Sequence, residues 1–218
     1  MPDTILTEDV DLVSGYLARP IADGSYTSII VLQEWWGLDE HIRDLTRRFA
    51  RNGFIALSPD LYHGKQTADP DEARGLSTGL DRTRATRDVI SAADYLKNMD
   101  ISNGSIFTIG YCMGGGISIL TACNTDLSGA IVYYGGLPNP VEQLDELDAP
   151  VLAIYGSDET DRGTEIQQAL TERGKEVDLH IYEGAKHAFF NDSWDERYDK
   201  NASDDSWIKV MDFIEKHS

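Results

Sequence analysis

Three side chains able to do acyl-transfer chemistry occur in one order along this chain: Cys112, Asp158 and His187. Cys112 sits in Ile106–Gly116, reading IFTIGYCMGGG. An apolar run enters a Gly-Tyr-Cys-Met-Gly turn, and a helix-like stretch from Ile117 to Cys123 leaves it. Strand, tight turn and helix with a nucleophile at the turn is the nucleophile-elbow pattern, G-x-S-x-G, here with Cys in place of Ser. Glycines two before and two after the nucleophile keep side chains out of a turn where backbone packs on backbone. A helix N-terminus at Cys112 favours the thiolate, which is the reactive form.

Nucleophile, then acid, then histidine is the chain order of one triad architecture and differs from the orders of two others. Asp158 follows an apolar strand in YGSDE, and His187 lies in the Gly-containing loop GAKHAFF after the last strand. A thiol attacks once deprotonated. Imidazole takes the proton and returns one to the leaving group. A carboxylate orients the ring and stabilises the imidazolium. Oxyanion donors are expected at the backbone N–H of Met113, just after the nucleophile, and at Trp35, after the SIIVL strand. Each residue also has a plainer reading: Cys112 as a small buried hydrophobe, Asp158 as a helix cap, His187 as a solvated loop histidine.

The elements that must position these residues can be read from periodicity. Apolar runs at Ser28–Leu32, Phe54–Leu57, Ile106–Ile109, Gly129–Tyr134, Val151–Tyr155 and Val177–Tyr182 predict strands. Residues 4–20, with Ile5, Val10, Leu12, Val13, Tyr16 and Leu17, predict one or two more. Amphipathic helices are predicted over Asp39–Arg51, Asp81–Asn98, Asp161–Arg173 and Ser203–Lys216, with residues 62–80 irregular. The alternation gives an α/β class with a mainly parallel sheet covered on both faces. Ligands bind beyond the carboxyl ends of such strands, where Glu34, Cys112, Asp158 and the His187 loop fall. A single domain over 1–218 is expected.

Composition narrows the function classes. Net charge is −19, from 38 acidic and 19 basic residues. That argues against a nucleic-acid partner, which needs a basic face. The acidic excess fits an ordinary soluble surface or adaptation to high salt, and a melting temperature rising with added salt would separate the two. No apolar run reaches about 18 residues, so no transmembrane helix is expected. The acidic start MPDTILTEDVDL lacks the pattern of a signal peptide. With Cys112 opening a helix, Cys123 lies about 16 Å along it, too far for a disulfide. A reducing, cytoplasmic setting follows. Histidine and cysteine spacing shows no zinc pattern, and GYCMGGG lacks the Lys-Ser/Thr of a phosphate loop. No metal and no cofactor is expected.

QEWWG at 33–37, SPDLY at 58–62, GYCMGG at 110–115, YGSDE at 155–159 and AKHAF at 185–189, in this order, resemble the dienelactone hydrolase family. The resemblance spans most of the chain. It implies the α/β-hydrolase fold, a Cys112–His187–Asp158 triad, and hydrolysis of a small lactone or ester through an acyl-thioester. The family's named reaction turns a dienelactone (a carboxymethylenebutenolide) into maleylacetate. It also implies that Glu34 holds the resting thiol until substrate displaces it, which protects a thiolate from oxidation. One departure concerns the substrate. The best-studied members of the family follow the histidine loop with an Arg that binds the substrate carboxylate, and here HAFFN has Asn191. Arg74, Arg82 or Arg84 could supply a cation instead. Trp35, Trp36, Tyr62, Phe189 and Phe190 could line an apolar pocket or simply pack in the core. Two alternatives stay open: an esterase or thioesterase of the same fold with another small substrate, and a non-catalytic protein using Cys112 as a redox-responsive thiol. Oligomeric state is open, with a monomer one option.

Overall fold

The computed structural model describes residues 4–11 and 14–218. Leu12 and Val13, expected within the first strands, lie outside the described residues. Among the described residues there are eight strands: β1 (Ile5–Val10), β2 (Gly15–Pro20), β3 (Tyr26–Leu32), β4 (Ile55–Ser58), β5 (Ser102–Tyr111), β6 (Gly129–Tyr133), β7 (Val151–Gly156) and β8 (Val177–Tyr182). Six α-helices join them: α1 (Glu40–Arg51), α2 (Pro70–Thr78), α3 (Arg82–Lys97), α4 (Met113–Ala122), α5 (Thr160–Thr171) and α6 (Lys200–His217). The strand order is β1-β2-β4-β3-β5-β6-β7-β8. β1 and β2 pair antiparallel, as do β2 and β4; β3 with β4, β6 with β7, and β7 with β8 are parallel. The chain forms two compact units, residues 1–108 and 109–218, with the boundary inside β5.

In the first unit, Ile29, Ile30, Val31 and Leu32 of β3 are fully buried, as expected of a strand covered on both faces. α1 starts where Asp39 accepts the Ile42 N–H at 3.0 Å, and it lays Ile42, Leu45 and Phe49 inward. α3 starts the same way, with Asp81 accepting the Arg84 N–H at 3.0 Å. The stretch expected to be irregular contains α2. Asp69 accepts the N–H groups of Asp71 and Glu72, both at 2.9 Å, and Pro70 opens the helix. Proline fits there because the first helical N–H has no partner within the helix.

In the second unit, β6 and β7 are buried along their whole length, and α4 is buried throughout. Ser118 inside α4 donates to the Ile131 carbonyl at 3.1 Å, so a polar side chain in an apolar helix is satisfied by the neighbouring strand. α5 is capped by a 3-10 turn, Ser157–Glu159, that leaves β7. α6 begins at Asp199, whose carboxylate accepts the Ala202 N–H at 3.0 Å.

Candidate active site

β5 delivers Cys112 into a backbone conformation that few residues adopt. Its φ is 55° and its ψ is −114°. A non-glycine residue held in such a region costs about 1–3 kcal/mol and persists where the surroundings enforce it. The Cys112 N–H donates to the Tyr133 carbonyl at 3.0 Å, which anchors the turn to the end of β6. A Cβ on Gly110 would overlap the Gly114 carbonyl. A Cβ on Gly115 would lie 2.9 Å from both the Gly135 Cα and the Tyr133 oxygen. Gly110 and Gly115 thus let the strand, the first turn of α4 and the loop after β6 converge on Cys112. Met113 is the first residue of α4, the position expected to offer an oxyanion donor.

The His187 loop docks on the end of β7 through four consecutive residues. Gly156 has no side chain where the Ala185 carbonyl carbon would stand 2.8 Å from a Cβ. Ser157 Oγ accepts the Gly184 N–H at 2.9 Å. Asp158 Oδ2 accepts the main-chain N–H of His187 at 3.0 Å. Glu159 Oε2 lies 2.8 Å from His187 Nδ1. The ring is therefore held by Glu159, whereas the sequence reading placed Asp158 there. Both carboxylates serve the histidine, one through its backbone and one through its ring. The reason is the tight turn at 157–159. With about three residues per turn, adjacent side chains point roughly 120° apart, so Asp158 and Glu159 cannot both face the imidazole. Asp158 is exposed, while the Glu159 side chain is 12% exposed. The second oxygen of Glu159 accepts from Arg162 Nη1 on α5.

The Cys112 side chain acts on the same imidazole that Glu159 holds. Burial alone would lower its pKa. The hydrogen bonds to Cys112 and Glu159, with the attraction of their charge, outweigh burial and hold the imidazole at about 10. Tyr134 packs beside the ring, centroids 4.9 Å apart. Cys123 differs in kind: burial pushes its thiol up to about 11, with Lys175 opposing. A thiol so raised is a poor nucleophile.

The remaining candidates divide between the two units. In the first, Glu34 follows β3 and is 3% exposed. Trp35 and Trp36 meet edge-on at 5.0 Å and are half-buried. Neighbouring Gln33 accepts the Leu61 N–H at 3.1 Å. Tyr62 is buried, and its N–H donates to Asp60 at 2.9 Å. Arg74 lies on α2, exposed and paired with Asp71 at 2.7 Å. Arg82 and Arg84 are exposed in the first turn of α3. In the second unit Phe189 is 0% exposed among Tyr133, Tyr134 and Tyr182. It packs the core behind the His187 loop, and a side chain with no accessible surface cannot line a pocket. Asn191, at the expected place of the Arg, shapes its own turn: Oδ1 accepts from the Ser193 N–H at 3.0 Å and its hydroxyl at 2.6 Å. Sequence reasoning passed over Glu159. The one available signal was a second acid beside Asp158.

The sequence model of the dienelactone hydrolase family matches residues 13–218. The chain belongs to this family. A Synechocystis protein provisionally named a carboxymethylenebutenolidase is 31% identical, over 93% of this chain and 91% of its own length. A protein of the same provisional name from Saccharolobus solfataricus is 29% identical, over 94% and 95%. The crystal structure of a provisionally identified dienelactone hydrolase from Klebsiella pneumoniae superposes with a TM-score of 0.87 at 28% identity, covering 96% of this chain and 98% of that one. The fold is that of the α/β-hydrolases. Among the described residues, no helix is long and apolar enough to cross a membrane, and no group of three or more His, Cys, Asp and Glu side chains could hold a metal ion.

Proposed function

We propose that this chain hydrolyses a small ester or lactone through an acyl-thioester on Cys112, with Glu159 as the carboxylate partner of His187. One observation carries the reading: Glu159 Oε2 lies 2.8 Å from Nδ1 of the His187 imidazole, on which the side chain of Cys112, held at a strained strand–helix turn, also acts. In the first half-reaction the Cys112 sulfur attacks the carbonyl carbon, and a tetrahedral oxyanion forms. Its collapse breaks the C–O bond, and imidazolium gives its proton to the leaving alkoxide. In the second, neutral His187 takes a proton from water. The resulting hydroxide attacks the thioester and Cys112 leaves as thiolate. Glu159 keeps the ring in one tautomer and stabilises its charged form. Asp158 is a positioning residue, acting through the His187 main chain.

The family resemblance adds Glu34 as the residue that restrains the resting thiol. It also adds the Met113 and Trp35 N–H groups as oxyanion donors. The residues over 1–218 act in this reading as one hydrolase. A dienelactone is the leading substrate, on the strength of the family and of the names its relatives carry. The replacement of the expected Arg by Asn191, and the solvent-facing pairing of Arg74 with Asp71, favour the second reading instead: an esterase or thioesterase of the same fold whose substrate has no carboxylate to clamp. Steady-state rates on cis- and trans-dienelactone and on an aryl ester, for wild type and Cys112→Ala, test this. Turnover abolished by the substitution supports the nucleophile, and the better substrate identifies the class. Turnover surviving in Cys112→Ala contradicts it.

A further inference from the structure

β8 ends the strand order, so among the described residues one of its edges has no strand beside it. Such an edge presents a row of main-chain donors and acceptors and is a template for another strand. Which residues face outward follows from the pairing with β7. The Val151 N–H donates to the Glu176 carbonyl at 3.0 Å, and Val151 stands opposite Val177. The main chains of Glu176, Asp178, His180 and Tyr182 therefore face β7. Those of Val177, Leu179 and Ile181 face the free edge, because successive residues alternate. The stretch VDLHIY has no Pro and no Lys, and its one charged side chain, Asp178, has His180 as a partner within the chain. Ile181, 36% exposed, is among the exposed large apolar residues.

The sequence of this edge is complementary to itself. Two antiparallel copies joined by outward main chains place the two-fold axis at residue 178, 179 or 180. An axis at Asp178 sets two carboxylates against each other. An axis at His180 sets two imidazoles together and leaves Asp178 opposite Tyr182. An axis at Leu179 sets Leu179 opposite Leu179, Val177 opposite Ile181, and Asp178 opposite His180 twice. In that register the Asp–His pairs fall at non-hydrogen-bonded positions, where side chains are closest. Within one chain His180 Nε2 already lies 3.2 Å from Asp178 Oδ2, so pairing would join two such couples into an alternating row. We propose that the free edge of β8 binds a second copy of this chain, antiparallel about Leu179.

The net charge of −19 acts against this association at low ionic strength. Salt shortens the screening length from about 30 Å at 0.01 M to about 3 Å at 1 M. The dimer should thus strengthen with salt, although salt weakens its Asp–His pairs. Sedimentation velocity of the full chain at low and high salt, across a range of protein concentration, reads this first. A concentration-dependent dimer that grows with salt is expected. Ile181→Lys, at a half-exposed position, should return it to monomer with its circular dichroism unchanged. Disulfide trapping then reads the register, in a Cys112→Ser background. A mixture of Asp178→Cys and His180→Cys chains should cross-link on oxidation, and neither alone should. Cross-linking of His180→Cys alone or Asp178→Cys alone would place the axis elsewhere and overturn the proposal. A monomer under every condition overturns it too.

Discussion

Glu159→Gln against Asp158→Asn separates the two acids that touch His187. Glu159 Oε2 lies 2.8 Å from Nδ1, and the side chain is 12% exposed. For charge centres about 4 Å apart at an effective dielectric of about 20, the attraction between carboxylate and imidazolium is about 4 kcal/mol. Removing it in the charged transition state lowers the rate about a thousandfold. Arg162 already offsets part of the Glu159 charge, so the expected loss in kcat is about 10²–10³-fold. Asp158→Asn keeps an oxygen that can accept the His187 N–H. It loses only the charged part of that hydrogen bond, about 1 kcal/mol, or about five-fold in kcat. The assay is kcat and KM on the best ester, with thermal melting of each variant to exclude unfolding. A larger loss for Asp158→Asn than for Glu159→Gln, with both proteins folded, would refute the assignment of the ring partner.

Three further outcomes follow from the same geometry. Gly110→Ala should cost at least about 2 kcal/mol of stability, read by chemical denaturation, because its Cβ would strike the Gly114 carbonyl. Arg162→Ala should change stability by less than about 1 kcal/mol, since its side chain is 49% exposed, and should lower kcat only several-fold through a looser Glu159. His187 is raised from 6.5 to about 10, so its protonated form stabilises the fold fully below about pH 6.5, and that contribution is lost as pH rises through about 10. The melting-temperature advantage of wild type over His187→Gln should therefore shrink across that window, and an advantage that grows would contradict the direction of the shift.

Much of the framework is legible in the chain itself, for physical reasons that also mark where legibility ends. Buried parallel strands need continuous apolar runs, so β3, β6 and β7 stand out in sequence. The elbow needs glycines where backbones touch, and Gly110 shows it, although the close approach to β6 falls on Gly115. Asp39 and Asp81 cap helices that periodicity already predicts. α2 is hidden because Asp69-Pro70 reads equally as a turn and as a helix start, and its apolar face is narrow: only Ala73 is buried. Asp158 and Glu159 are neighbours, and which one meets the ring depends on a tight turn whose direction no spacing rule reveals. Phe189 and Asn191 show the same limit. An aromatic beside the His187 loop suggests a substrate contact, while here Phe189 fills the core, and Asn191, at the place expected of an Arg, shapes its own turn.

The central claim is the acyl-thioester on Cys112. Intact-mass and peptide mass spectrometry of enzyme quenched during turnover of a slow ester tests it most directly. The account predicts one acyl group per chain, on the peptide carrying Cys112, which disappears when substrate is exhausted and never forms in Cys112→Ala. Turnover with no acylated chain, or with the acyl group on any other residue, would contradict it.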